Sequence, residues 1–219
     1  GKPNVKFPTI DRTHKVYIGG NQTRPDGIYS RLVCGANGEV VGQVGDGNRK
    51  DIRDAVEAAY KALKGWSSRT GFNRAQILYY LAENLAARED EFADQIRAMT
   101  GAKKEAARAE VDASISRLFT WAAYADKYGG TIQETPMRGL TMAVHEPIGV
   151  IGIACPDESP LLAFVSLFAP AIARGNTVVI IPSDKYPLSA TDFYQLLDTS
   201  DVPAGVVNIV TGERDHLMK

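Results

Sequence analysis

The chain has 219 residues, of which 44% are hydrophobic and 23% are charged, and its formal net charge is −1. Such a composition can bury a core in one large domain or two small ones, which argues against a disordered or fibrous protein. Because positive and negative side chains balance, we expect no nucleic acid and no membrane as a partner. The two cysteines form no paired motif and no apolar stretch reaches membrane-spanning length, so we expect a cytoplasmic protein.

The first part of the chain reads as an arm followed by short strands. Residues 1–15 mix Pro, Lys and Asn without periodicity and are predicted to be a linker or an extended arm. Asn37-Gly38 is the clearest hairpin turn. The β-prone runs that surround such turns are at residues 16–18, 29–34 and 40–44.

Helices are predicted over most of the next 80 or so residues. Asn48 and Asp51 form a capping-box pattern before an apolar face at helical spacing. Asn73 with Gln76 repeats that pattern and predicts a second helix start. The expected helix ends are at Gly65, at Gly101 and, for a long helix from about Lys103, at about Asp126.

The chain then changes to apolar strands that alternate with helices. Between Pro147 and Ser183 only three residues are charged, so this segment is expected to be buried. Continuous apolar strands joined by helices predict a parallel sheet with right-handed crossovers. The predicted strands are residues 149–155, 177–181 and 206–210, and the predicted helices are residues 160–174 and 188–197.

Candidate site residues follow these strands, because parallel sheets bind ligands beyond the carboxyl ends of their strands. Asp157 and Glu158 precede the helix start at Ser159, and they are either simple capping residues or part of a site. Two carboxylates there would repel a pyrophosphate. Asp184 could accept a hydrogen bond from a ribose hydroxyl, or it could belong to a plain loop.

Other kinds of chemistry have little support in the residues. No GxGxxG motif or P-loop is present, and the three histidines form no spaced set with Cys155. A nucleophilic cysteine needs a base, a cation or a helix end to lower its pKa, so Cys155 is expected to be a packing residue. The sequence contains no metal-ligand constellation.

Several strings in the second half are similar to the cofactor-domain signature of the aldehyde dehydrogenase superfamily. They are EPIGVIGIACP from Glu146, APAIARGNTVV from Ala169, PLSA from Pro187 and PAGVVNIVTG from Pro203. Their order and spacing match the family, and the resemblance extends over about residues 13–219. It implies an α/β fold with a Rossmann-like parallel sheet flanked by helices, NAD or NADP as cofactor, and aldehyde oxidation through a cysteine thiohemiacetal.

The resemblance also implies a division of the chain. Residues 16–130 would be the N-terminal β arm and helical part of the cofactor domain, and residues 147–219 an incomplete βαβαβ part. Residues 131–146 would form an oligomerisation-type β segment that reaches toward a neighbouring subunit or module. A homo-oligomeric parent protein is expected on the same ground.

The chain departs from the family pattern at positions that the resemblance assigns to the site. Where the family has Pro-Trp-Asn-(Phe)-Pro, this chain has Pro-Asp-Glu-Ser-Pro, so Glu158 replaces the asparagine that helps to hold the oxyanion. Ile181 stands at the family's lysine, and Glu213 at the second glycine of a glycine-rich turn. The residues carried over as a degenerate cofactor site are Pro156, Ile181, Ser183, Asp184 and Gly212.

The resemblance places the family's catalytic cysteine and general-base glutamate beyond Lys219, where this chain stops, and no catalytic residue is assigned. The chain therefore resembles a truncated portion of a longer protein, non-catalytic in itself, with an unpaired sheet edge after its third cofactor-domain strand. Such losses are similar to the second, non-catalytic module of the two-module family 16 aldehyde dehydrogenases, with a structural or regulatory role. Its expected partner is the remainder of the parent chain or another module. The alternative is part of an active NAD(P)-dependent aldehyde dehydrogenase.

Overall fold

A computed structural model describes residues 15–128 and 149–218. The predicted arm, apart from Lys15, and the predicted oligomerisation segment at residues 131–146 lie outside the described residues. The first half contains β1 Val16–Ile18, β2 Asn21–Thr23, β3 Ser30–Cys34, β4 Val40–Gly45, α1 Arg49–Ser67, α2 Gly71–Ala87, α3 Glu89–Thr100 and α4 Lys104–Tyr128. The second half contains β5 Val150–Ala154, α5 Pro160–Ala173, β6 Thr177–Ile181, α6 Leu188–Thr199, β7 Val207–Ile209 and α7 Arg214–Leu217.

The predicted α/β fold is confirmed, with one correction at the sheet edge. A five-stranded sheet has the order β2-β1-β7-β6-β5, in which β5, β6 and β7 are parallel. The sequence predicted an unpaired edge at β7, and this prediction is wrong. Strand β1 pairs with β7 in antiparallel orientation through Tyr17 and Ile209. Tyr17 is buried, and its hydroxyl donates a hydrogen bond of 2.7 Å to Asp198. Strands β1 and β2 therefore belong to the main sheet.

Both faces of the sheet are covered, which explains why β6 is apolar throughout. Val178 and Ile180 belong to the larger core, against helices α2 to α6. Val179 and Ile181 point to the opposite face, where they belong to a smaller cluster with Ala55 of α1. The period of two along β6 thus separates the two cores.

Two buried polar side chains attach the helical part to the end of α5. The indole Nε1 of Trp66 donates to the carbonyl of Ile172 over 3.0 Å, and Nε of Arg74 donates to the carbonyl of Ala173 over 3.2 Å. The carbonyls at a helix C-terminus lack partners within the helix. The Arg74 bond supplies one for Ala173, and the Trp66 bond adds to the amide of Gly175, which Ile172 already accepts over 3.0 Å. Among the described residues, no helix is long and apolar enough to cross a bilayer.

The helix boundaries confirm some local signals and correct others. The capping box of Asn48 and Asp51 is present at the start of α1, but that helix continues past Gly65 to Ser67. Helix α2 is capped by Thr70, whose hydroxyl accepts from the amide of Asn73 over 3.1 Å, so the predicted Asn73 cap is wrong. Threonine serves here because its side-chain oxygen reaches the amide three residues on.

The β3–β4 hairpin forms a separate two-stranded sheet with the predicted turn. Its inner face packs Val33 and Val44 against Met99 of α3 and Leu188 of α6. Gly101 ends α3 with a left-handed conformation at φ 73°, as its position predicts.

Candidate functional site

The three loops that follow β5, β6 and β7 meet at the carboxyl edge of the sheet. The carboxylate of Asp157 accepts a hydrogen bond from the hydroxyl of Ser183 over 2.6 Å. The two carboxylate oxygens of Asp184 lie 3.1 and 3.2 Å from the backbone nitrogen of Arg214, which donates to them. Side-chain carboxylates therefore join each loop to the next.

The first turn of α5 is capped from another helix and not by the residues that precede it. Ser159 holds the N-cap position with φ 47° and makes no side-chain capping bond. The amide of Leu161 donates instead to the carboxylate of Glu110 on α4, over 2.9 Å. The interpretation of Asp157 and Glu158 as the capping residues is therefore wrong.

Glu158 is exposed and lines a cleft of about 690 Å³ between α4 and the loops after β5 and β6. The cleft is also lined by Glu110, Asp157 and Lys185. A carboxylate in this lining would oppose negative charge on any oxygen bound beside it.

Ser183 and Pro156, both carried over by resemblance, lie in different surroundings. Ser183 is 2% exposed, and its hydroxyl oxygen accepts a bond from the amide of Tyr186 over 3.0 Å in addition to donating to Asp157. Pro156 is exposed on the adjacent loop. Ser183 is thus committed to bonds within the loops.

Ile181 and Gly212 are both packed against other residues of the protein, which leaves little room for a ligand beside them. Ile181 is 8% exposed and belongs to an apolar cluster with Val210 and Leu217. A Cβ on Gly212 would lie 2.9 Å from Leu217 Cδ1 and 3.1 Å from the carbonyl oxygen of Gly47. Gly212 is therefore needed for close approach to the turn before α1.

The prediction that Cys155 is a packing residue is confirmed. The side chain is 1% exposed, and burial raises the pKa of its thiol to about 12, although the positive charge of Arg214 acts in the opposite direction. His216 pairs with Glu213 at the surface over 2.6 Å, while His14 and His145 lie outside the described residues. In the part of the chain that the structure describes, no group of three or more His, Cys, Asp or Glu could hold a metal ion.

Comparison with known proteins identifies the family. A model of the aldehyde dehydrogenase family matches residues 25–219. The chain belongs to this family. It is 38% identical over 185 residues to an aldehyde dehydrogenase of Agaricus bisporus, covering 83% of this chain and 37% of that protein. A betaine aldehyde dehydrogenase of Bacillus subtilis is 37% identical over 180 residues, covering 80% of this chain and 36% of that protein.

Solved structures of the family share the fold. A betaine aldehyde dehydrogenase of Staphylococcus aureus in complex with NAD+ superposes with a TM-score of 0.84 at 25% identity, covering 94% of this chain and 43% of that one. Aldehyde dehydrogenase C of Pseudomonas syringae, in complex with NAD+ and octanal, gives 0.84 at 32% identity, covering 94% and 42%. The chain thus spans about 36–43% of the length of these relatives.

The residues at the carboxyl edge fit poorly with the dinucleotide that the family implies. Ile181 offers no polar group, and the carboxylate of Asp184 already accepts the amide of Arg214. Glu158 adds a negative charge at the cleft. No chemical step through that cofactor follows from these side chains.

Proposed function

We propose that the chain is most of the nucleotide-binding region of a longer aldehyde dehydrogenase family protein, that it does not catalyse aldehyde oxidation itself, and that its role is structural or regulatory. The observation that carries this proposal is Glu158, whose exposed carboxylate stands at the position that the resemblance assigns to an oxyanion-binding asparagine. Loss of one such donor costs roughly 2.7–4 kcal/mol of transition-state stabilisation. A carboxylate adds repulsion to that loss.

The cofactor side supports the same conclusion. Ile181, at the place of the family's lysine, is buried among apolar side chains and cannot supply a charge-assisted donor. Asp184 and Ser183 are engaged in bonds between the loops. These contacts favour a degenerate NAD or NADP site at Pro156, Ile181, Ser183, Asp184 and Gly212.

The pattern of losses favours the second, non-catalytic module of a family 16 aldehyde dehydrogenase. Its partner would be the remainder of the parent chain or another aldehyde dehydrogenase module, in a homo-oligomer in the cytoplasm. The division at residues 16–130, 131–146 and 147–219 is part of this proposal.

Isothermal titration calorimetry with NAD and with NADP tests the proposal. We expect no saturable heat at micromolar cofactor. The S. aureus betaine aldehyde dehydrogenase, which was solved with NAD+, is the positive control. Micromolar affinity in this chain would overturn the claim that the site is degenerate.

The second candidate is part of an active NAD(P)-dependent aldehyde dehydrogenase. It is favoured by the relatives solved in complex with NAD+, one of which also holds octanal. Sequencing the parent gene beyond Lys219 separates the two candidates. A downstream cysteine and glutamate in the family pattern would support the active enzyme, and their absence would remove it.

A further inference from the structure

A second cleft, of about 470 Å³, lies between β2, β4, α3 and α6. None of its lining residues belongs to the lining of the cleft beside Glu158. Small-molecule sites in proteins commonly have volumes of about 300–1,000 Å³. This cleft therefore has room for a small ligand, and it is separate from the site at the carboxyl edge of the sheet.

One part of the lining consists of buried residues that the fold holds in place. Val44, Leu188 and Tyr194 belong to this part. The ring of Tyr194 stacks on that of Tyr17 with centroids 5.3 Å apart, and its hydroxyl donates to the backbone carbonyl of Lys15 over 3.2 Å. A ligand in the cleft would thus meet a surface that is already formed.

The rest of the lining is rich in hydrogen-bond acceptors. Gln22, Gln43 and Gln95 each present an amide side chain. The amide nitrogen of Gln43 donates to the hydroxyl of Ser30, which leaves its amide oxygen to accept. The hydroxyl of Thr191 donates to a backbone carbonyl over 3.1 Å, so its oxygen is also an acceptor. The cleft is therefore suited to a ligand with several N–H or O–H donors.

Asp192 adds a carboxylate to this lining, and the protein supplies it with no partner. The side chain is half-buried, and within the described ranges no group donates a hydrogen bond to it or forms an ion pair with it. The charges that act on it are those of Glu91 and Arg88, but Arg88 is bound to Glu91 through Nε and Nη2. Burial and the charge of Glu91 raise the pKa of Asp192 to about 6, and Arg88 opposes this shift.

An acid in this condition indicates a binding role. Asp192 is ionised at neutral pH although its surroundings disfavour the charge, and such perturbed groups in clefts are candidates for functional sites. Hydrogen bonds to an ionised group are about twice as strong as those between neutral groups. A donor that carries a positive charge would therefore bind Asp192 best.

The other lining groups define the kind of cation. Among the described residues, no group of His, Cys, Asp or Glu at this cleft could hold a metal ion. A primary ammonium group has three N–H donors, enough for the carboxylate of Asp192 and for amide oxygens beside it. A quaternary ammonium group has no N–H and would leave those acceptors unused.

We infer that this cleft binds a small ligand with a primary ammonium group, which pairs with Asp192 and donates to the side-chain amide oxygens of the glutamines that line the cleft. A hydroxyl group on the ligand would find further acceptors there. The inference does not rest on the proposed loss of dinucleotide binding, because the two sites share no residue. The calorimetry with NAD and NADP therefore tests a separate claim.

The experiment is a titration of the chain with ethanolamine at neutral pH and constant ionic strength, followed by the side-chain amide resonances of Gln22, Gln43 and Gln95. In the wild-type chain we expect saturable shifts at millimolar ethanolamine. Affinity in Asp192→Asn should be at least about tenfold weaker, because a charge-assisted bond is lost. Asp215→Asn makes the same change of charge at an exposed position and should bind like the wild type. Tetramethylammonium, which has the charge without the N–H groups, should cause no saturable shift.

The pH dependence provides a second measurement. Affinity in the wild type should fall as pH falls through about 6, because Asp192 then takes up a proton and loses its charge. Glu91 stays ionised over this range because its pairing with Arg88 lowers its pKa, and Lys15 is the other charged residue in the lining among the described residues. Asp192→Asn should show no such fall.

Folding does not limit this test, since Asp192→Asn removes a buried charge and is expected to be at least as stable as the wild type. The absence of saturable shifts in the wild type would overturn the inference. Equal affinity in the wild type and in Asp192→Asn would do the same, and so would equal shifts with tetramethylammonium.

Discussion

The hydroxyl of Ser183 donates a hydrogen bond of 2.6 Å to the carboxylate of Asp157 and so connects the loops after β6 and β5. The same hydroxyl oxygen accepts the amide of Tyr186 over 3.0 Å. In the family pattern a tryptophan stands at the position of Asp157. A polar bond between loops has therefore replaced a large apolar side chain beside the cleft.

Ser183→Ala should destabilise the chain by about 1–3 kcal/mol. The substitution leaves the Tyr186 amide without its acceptor and removes the shorter of two hydrogen bonds to the Asp157 carboxylate, which then keeps the amide of Lys185 at 3.5 Å. Water has little access to this place, since Ser183 is 2% exposed. Urea unfolding measured by circular dichroism gives the free energy of unfolding. The slope against urea should not change.

Ser189→Ala is the matched control. Ser189 is 1% exposed, and its hydroxyl has no hydrogen-bond partner within the described part of the chain. Its removal should change the free energy of unfolding by less than about 0.5 kcal/mol, or raise it. Equal losses in the two variants would show that the bond between Ser183 and Asp157 contributes nothing specific.

Asp192→Asn should stabilise the chain at neutral and alkaline pH. Burial raises the pKa of Asp192 to about 6, the negative charge of Glu91 adds to this shift, and Arg88 opposes it. The folded chain thus binds this proton at a higher pH than the unfolded chain, so stability falls as pH rises from about 4 to about 6. Above that window the destabilisation is complete, and the variant should gain about 2–3 kcal/mol, because each pKa unit between the folded and the unfolded chain corresponds to about 1.4 kcal/mol.

The measurement is the free energy of unfolding of both proteins from about pH 4 to about pH 8. The difference between them should shrink toward the acid end. Asp215→Asn makes the same change of charge at an exposed position and should show no such gain. If Asp192→Asn raised the free energy of unfolding equally at every pH, the destabilisation would not come from the ionised carboxylate of Asp192.

The two thiols should differ sharply in reactivity toward a disulfide reagent such as Ellman's. Cys34 is exposed, whereas Cys155 is buried and its pKa is raised to about 12, which leaves almost no thiolate at neutral pH. One thiol should react quickly in the folded chain, and the second only in denaturant. Cys34→Ser should abolish the fast reaction, and a fast reaction that persists in this variant would show that the β5–α5 loop opens readily.

Restoring the family's residues should have two separable effects. Glu158→Asn changes an exposed side chain and should alter stability by less than about 0.5 kcal/mol. Ile181→Lys buries an ammonium group in an apolar cluster and should lower stability by about 2 kcal/mol or more.

The double variant should recover measurable NAD affinity in calorimetry if these two residues account for its loss. Thermal unfolding shows whether the variant is folded under the conditions of the titration. A folded double variant that binds no NAD would mean that other parts of the site, such as the engaged Asp184, have changed as well.

The sequence predicted those features whose causes are local. The continuous apolar run of β6 and the capping box at Asn48 are each complete within a few residues, and both are present. The predicted helix end at Gly65 is wrong, because a glycine inside a long helix costs only about 1 kcal/mol. The packing of α1 against the sheet offsets that cost. Local patterns give elements more reliably than their ends.

The missed features all connect distant parts of the chain. Glu110 is one acid on a long helix beside an apolar stripe, and nothing near it indicates that it reaches the amide of Leu161. The pairing of β1 with β7 likewise depends on the fold that brings Tyr17 to Ile209. The loops after β5, β6 and β7 were predictable because parallel strands end at one edge, but their bonding to one another was not.

The contact between β1 and β7 also sets an order of events during synthesis. The ribosome makes β1 almost two hundred residues before the strand beside which it lies in the sheet. Until β7 emerges, β1 lacks the strand that joins it to the main sheet, so we expect the apolar side chains of Val16 and Tyr17 to stay available to chaperones. A nascent chain that stalls before β7 would therefore expose its beginning, and degradation of such products should depend on those two side chains.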